Sequence, residues 1–164
     1  MPRTSSPDGL ADLLEQQSSV VSRTQLLTLG MKDNVMQYRI RRGGPWQTLL
    51  PGVYLAVSGV PSFWGKEMAA LLYAGPGSLI TGPTALMHHS IRSGSAVEVI
   101  DVLVPVGRQR VSAGFARLHR TARMPVRTSS AGPLRLASTT QIPAGRCSTR
   151  NASDSCTCRA LIRW

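Results

Sequence analysis

This chain of 164 residues is short of long apolar runs, lysine, aromatics and paired cysteines, and each shortage closes a class of function. No stretch of about 18 or more apolar residues occurs, so no segment is suited to cross a bilayer as a helix. Met1 to Gly9 lack the apolar core of a secretory signal, so the expected compartment is the cytoplasm. The three cysteines, Cys147, Cys156 and Cys158, are odd in number and crowd the C-terminal end, which argues against a disulfide framework. A Cys-x-Cys without a neighbouring histidine is also a poor zinc site, since zinc needs four convergent ligands. Neither a metal nor a cofactor is therefore expected. Gly-rich phosphate loops and nucleophile elbows are missing as well, which points away from an enzyme.

Acidic residues are scarce in one place in particular. The net charge is +11, but residues 1–104 carry 8 Lys/Arg against 7 Asp/Glu, and residues 105–164 carry 11 Arg against 1 acid. The excess lies mostly in the second part of the chain. Arg108, Arg110, Arg117, Arg120 and Arg123 there make either a phosphate-binding surface or a solvated basic strand pair. In the first part, Lys32, Arg39, Arg41 and Arg42 face only Asp33, which leaves a local basic patch.

Hydrophobic spacing organises that first part. Asp8 is placed to cap a helix carrying Leu10, Leu13 and Leu14, and Val20-Val21 follow as a brief strand. Ser22 with Gln25 three positions on is a capping box, in which hydroxyl and amide each satisfy a free backbone N–H. The helix it opens, about Arg23 to Leu29, is expected to bury Leu26, Leu27 and Leu29 and to end at Gly30. A further helix runs from about Asp33 to Arg42. At about 100° per residue, Val35, Met36 and Ile40 share one arc with Arg39 beside them, while Asn34, Gln37, Tyr38 and Arg41 share the other. Trp46–Leu50 and Val53–Val57 then flank Pro51-Gly52, where proline presets the first turn position and glycine accepts a positive φ. Trp46 and Tyr54 are expected to pack this hairpin onto the helices. The layout is that of a winged helix-turn-helix, whose second helix commonly enters the major groove of DNA.

Beyond Ser58 the pattern predicts a helix over Ser62–Ala74 with Met68, Leu71 and Leu72 inward, and another from Thr81 or Pro83 to His89. Strands are expected over Val97–Val104 and Gly114–Arg120. Adjacent helical residues point apart, so His88 and His89 are not a chelating pair. Glu98 and Asp101 fall on opposite strand faces and have no lysine beside them, a poor nuclease pair. From Val126 the chain is dense in Ser, Thr, Arg, Ala, Pro and Gly, and Leu134, Leu136, Ile142, Leu161 and Ile162 form no face. The fold class that follows is α+β: a winged helix-turn-helix over 8–58, a small mixed α/β unit over 59–124, and a disordered basic tail over 125–164.

The block Val20-Val21-Ser22-Arg23-x-Gln25-Leu26-Leu27-x-Leu29-Gly30, then Arg39-Ile40-Arg41-Arg42-Gly43 and Trp46-Gln47-x-Leu49-x-Pro51-Gly52-Val53-Tyr54, resembles the N-terminal domain of AbiEi-type antitoxins of the actinobacterial kind. Ala69-Ala70-Leu71-Leu72-Tyr73-Ala74-Gly75-Pro76-Gly77, Thr84-Ala85-Leu86 and Val102-Leu103-Val104-Pro105 extend the likeness, which covers about Leu10 to Thr121. The resemblance implies a transcriptional regulator of a type IV toxin–antitoxin system that represses its own operon. Its partner is then double-stranded DNA at an operator or promoter. A second copy of the chain is a candidate homodimer partner, and no stable toxin complex is expected. The departures from the family are Lys32 where a Ser or Thr usually caps the recognition helix, so that Asp33 or Asn34 must substitute, and Gln37 and Tyr38 where relatives carry arginine.

Seventeen Arg against two Lys suit a GC-rich genome, in which an out-of-frame reading yields a tail of this composition, so the tail over 125–164 is read as a frameshifted or decayed gene end. In this reading Asn34 and Gln37 face adenine edges and Arg41 a guanine or a phosphate, with Tyr38 on the same surface; Arg23, Lys32, Arg39 and Arg42 complete the DNA-binding set by holding phosphates. Two alternatives stand beside it: the DNA-targeting part of a truncated very-short-patch-repair-like endonuclease, and a winged helix that binds protein.

Overall fold

The structure, a computed structural model, describes residues 8–91, 98–125, 128–131 and 134–137. Its class is α+β. The N-terminal elements are α1 (Leu10–Gln16), β1 (Val20–Ser22), α2 (Arg23–Thr28), α3 (Asp33–Ile40), β2 (Gln47–Leu50) and β3 (Val53–Leu55). The three strands form an antiparallel sheet in the order β1-β3-β2. Pleating sends alternate side chains to opposite faces, and both faces of this small sheet are covered. Val21 and Tyr54 join Leu10, Leu26, Met31, Met36 and Trp46 under the three helices. Val20, Val53 and Leu55 face the other way, into the larger core.

That core is organised by α4 (Phe63–Ala74), which touches all three strands of the first sheet and also strands of the second. Ser62 caps it by accepting from the Gly65 N–H at 3.0 Å. Gly65, Ala69, Ala70 and Ala74 are buried, and their small side chains let a helix lie between two sheets at close range. The second sheet holds β4 (Leu79–Thr81), β5 (Ile100–Pro105), β6 (Ala116–Thr121), β7 (Thr128–Ala131) and β8 (Leu134–Ala137), in the order β6-β5-β4-β8-β7. Helix α5 (Gly82–His88) packs on β4 and β5.

Strands β5 and β6 are consecutive yet parallel, so the chain must travel back the length of the sheet between them. Residues 106–115 make that return outside β6. They are anchored by the Ala113–Ala116 bridge, by the Leu118 N–H donating to Ser112 Oγ at 2.9 Å, and by the Val106 N–H donating to Thr121. At Gly114 (φ +51°) a Cβ would lie 3.1 Å from a Leu50 methyl, so the return segment docks closely on the first sheet.

Several expectations change. Gly9, in the left-handed region, precedes α1 as its N-cap in place of Asp8. Leu27 is exposed, because α2 is only six residues long and Leu26 alone fills its buried side. Helix α3 stops at Ile40 and Arg41 is already extended, two residues before the glycines. In α4, Leu71 and Leu72 are half-buried while Ala69, Ala70 and Tyr73 are buried, since a helix between two sheets lacks the single inward stripe of an amphipathic one. Strand β4 was not expected, and β5 starts at Ile100 rather than Val97.

The largest change lies beyond residue 125, where β7 and β8 pair as a hairpin and β8 runs parallel to β4, with Ile80 opposite Leu136. Leu134 and Leu136 are fully buried although too few to define a face by themselves; β4 and α4 supply the apolar surface that their own segment lacks. Residues 138–164, with the cysteines, Ile142, Leu161 and Ile162, lie outside the described residues. Leu134→Ala is expected to cost about 2–5 kcal/mol, the usual range for deleting a buried leucine side chain. Urea unfolding measures it, and a loss near zero would remove β8 from the core.

Candidate nucleic-acid interface

The first turn of α2 is built by the expected capping box: the Gln25 N–H donates to Ser22 Oγ at 3.3 Å and the Ser22 N–H to Gln25 Oε1 at 2.9 Å. The next free amide, that of Arg23, donates to the Gly52 carbonyl at 2.8 Å. Gly52 has φ +76°, as the Pro-Gly turn requires. The hairpin turn is therefore fastened to the start of α2 and does not stand away from the body. The Arg23 guanidinium reaches both Asp33 oxygens, at 2.8 and 2.9 Å. Both side chains are half-exposed, so the pair stabilises the fold by at most about 1 kcal/mol. Its effect is geometric, joining the first turns of α2 and α3.

Helix α3 starts from Lys32, whose side chain makes no capping bond. Asn34 compensates in part, with Oδ1 accepting from the Val35 N–H at 2.8 Å, and the Asp33 carboxylate sits favourably at the positive end of the helix. Met36 is buried, and Val35 and Ile40 are half-buried beside it. Asn34, Gln37, Tyr38 and Arg41 are exposed, together with Lys32, Asp33 and Arg42. The Arg41 guanidinium lies 4.0 Å from the Tyr38 ring centroid, so these two form one planar unit on the surface. Arg39 is placed differently: half-buried, it lies 4.9 Å from the Trp46 ring centroid, and its carbonyl accepts from the Trp46 N–H at 3.0 Å. Arg39 thus belongs to the joint between α3 and the hairpin.

Seven of the eight residues expected to contact DNA are exposed: Arg23 at the start of α2, Lys32 before α3, Asn34, Gln37 and Tyr38 on it, and Arg41 and Arg42 just after it. These residues supply carboxamides able to pair with base edges, a stacked Tyr–Arg unit, and cations able to hold phosphates.

Among the described residues, the other ionisable groups lie in separate places. Glu98 precedes β5 and is exposed, whereas Asp101 is largely buried on it, its Oδ1 accepting from His119 Nε2 at 2.7 Å, with Arg117 at 3.8 Å. Among the described residues no group of three or more His, Cys, Asp or Glu converges as a metal site would. Glu67, which the sequence reading passed over, is completely buried on α4. Its Oε1 lies 2.6 Å from Nε2 of His88, which packs edge-on against Trp64, while Oε2 has no partner. His88 is itself mostly buried, and His89 half-buried. The signal for Glu67 was its helical spacing, one turn after Trp64 and one before Leu71.

No protein-family model matches this chain, and no curated protein matches it.

Burial pushes the Glu67 carboxyl above its ordinary 4.5, and the hydrogen bond and charge of His88 offset part of that rise. The native state therefore holds this proton more tightly than the unfolded chain. The resulting stability is present below about pH 4.5 and is lost as the pH climbs through the raised value. Glu67→Gln keeps the shape and removes the titration, so its unfolding free energy should change less with pH over that window than the wild type's. Parallel slopes in urea titrations across the window would contradict this.

Proposed function

We propose that this chain is a sequence-specific regulator that binds double-stranded DNA through a winged helix-turn-helix, with α3 as its recognition helix and the β2–β3 hairpin as a short wing. The observation that carries this reading is the outward side of α3, where Asn34, Gln37 and Tyr38 are exposed, with Arg41 exposed just past its end, while Met36 anchors the opposite side. The setting supports it. Arg23–Asp33 and the Arg23–Gly52 hydrogen bond bring α2, α3 and the turn to one end, so a duplex meeting α3 also meets the turn.

In this reading α3 lies in the major groove. Gln37 and Asn34 pair with adenine edges, and the Tyr38–Arg41 unit reads a guanine or packs along the groove wall. Lys32 and Arg42 hold phosphates and set the register. Arg23 shares its charge between Asp33 and the backbone. Occupancy of the promoter excludes the transcription machinery, which is how a non-enzymatic, cytoplasmic repressor of its own operon acts. The resemblance to AbiEi-type antitoxins gives that repressor a place in a type IV toxin–antitoxin system, in which it would oppose the toxin without a stable complex.

Two substitutions separate reading from holding. Gln37→Ala with Arg41→Ala is expected to bring the affinities for promoter and scrambled duplexes together, whereas Arg42→Ala should weaken both about equally. Gel-shift titrations at physiological salt decide it. Equal wild-type affinity for the two duplexes would refute sequence-specific recognition.

A further inference from the structure

The return segment 106–115 brings a second set of cations to the hairpin-turn end of the molecule, and it is held in place from several sides. Arg120 Nε donates to the Arg108 carbonyl at 3.0 Å and its Nη2 to the Arg110 carbonyl at 3.1 Å. The Tyr73 hydroxyl donates to the Val111 carbonyl at 2.8 Å, and Arg108 Nη2 to the Pro76 carbonyl at 3.0 Å. Carbonyl acceptors fix these side chains without cancelling their charge. Arg110 itself is exposed, with its guanidinium 5.0 Å from the Tyr73 ring centroid. A guanidinium stacked on a ring keeps its in-plane N–H donors at the rim, the geometry that suits a phosphate.

Arg110 lines two depressions. One, of about 290 Å³, runs from Arg23 and Thr24 past Gly52 to Tyr73. The other, more open and of about 490 Å³, continues over Ser112, His119 and Arg120. Among the described residues no carboxylate lines either one, and the acids Asp33 and Asp101 are engaged with Arg23 and His119. Arg110 and Arg120 therefore form a cationic track that leads from the hairpin turn onto the second sheet.

We propose that Arg110 holds a backbone phosphate of the same duplex that α3 enters, so that the DNA site extends beyond the helix-turn-helix onto the return segment. This rests on the DNA-binding reading above. Arg110 contributes affinity without sequence information, because its partner is the sugar-phosphate chain and not a base. Duplex DNA fits the track better than an acidic protein, because the first depression opens beside Arg23 and Gly52, on the surface that faces the duplex in the proposed docking.

The experiment uses the full chain and a duplex of the gene's own upstream region. Binding is measured against salt for the wild type, Arg110→Gln, Arg110→Lys and the Gln37→Ala/Arg41→Ala pair. Hydroxyl-radical footprints are taken alongside. Loss of one phosphate contact should flatten the slope of log K against log salt by about 0.9, so Arg110→Gln loses about 3.5-fold less affinity than the wild type over a fourfold salt rise. Its promoter-to-scrambled affinity ratio should stay unchanged, and its footprint should lose protection at one end. Arg110→Lys should keep most of the slope. Both variants leave Arg120 and Tyr73 in place to hold the segment, and matching urea midpoints check that they do. If Arg110→Gln keeps the wild-type slope and footprint while Gln37→Ala/Arg41→Ala loses specificity, the helix reading stands and the extension is overturned. Absence of wild-type binding at any salt overturns both.

Discussion

Strand β3 is only three residues long, yet the surface presented by α3 depends on its burial from two sides. Val53 and Leu55 are sealed against α4, and Tyr54 is sealed beneath the helices with Trp46 and Met36. At about 1.5–3 kcal/mol for each large apolar side chain, these contacts outweigh the exposed Arg23–Asp33 pair several times over. Apolar burial therefore sets where α3 lies, and the polar contacts trim its angle. Three helices this short would not hold their form in water by themselves.

How much of this was legible in the sequence depends on how local the information was. The Ser22–Gln25 box and the Pro51-Gly52 turn are complete within four residues, and both formed as read. Met36 was legible as core because its helical neighbours leave it on one arc. Strand β8 was not legible, since Leu134 and Leu136 sit among polar residues and β4 and α4, more than fifty positions earlier in the chain, make their burial favourable. The same holds for β4, three residues between a glycine-containing turn and the first residue of α5. Helix α4 misled for a different reason. A helix enclosed on two sides has no polar face to mark the period, and the acidic Glu67 hides in the middle of it. On the surface, the face of α3 was legible by spacing alone, while the diversion of Arg39 to Trp46 needed the hairpin to be in place.

The arginines show why net charge is a blunt guide to a binding surface. Arg108 and Arg120 spend their donors on backbone carbonyls, Arg117 leans toward Asp101, and Arg23 is clasped by Asp33. Those pairs fix loops and helix ends. They also leave Arg110 and Arg41 as exposed cations, each stacked on a tyrosine ring that limits its side-chain freedom.

The path of residues 106–115 has one more consequence. A sheet that ends in a bare strand offers a row of open amides and carbonyls to any other extended chain, the usual beginning of runaway polymerisation. Here the returning segment lies along β6, with Ser112 occupying the Leu118 amide and Arg120 reaching across to the returning backbone. On that margin the Leu118 amide and the Ala116 backbone are already taken, which leaves fewer open groups for a foreign strand to recruit.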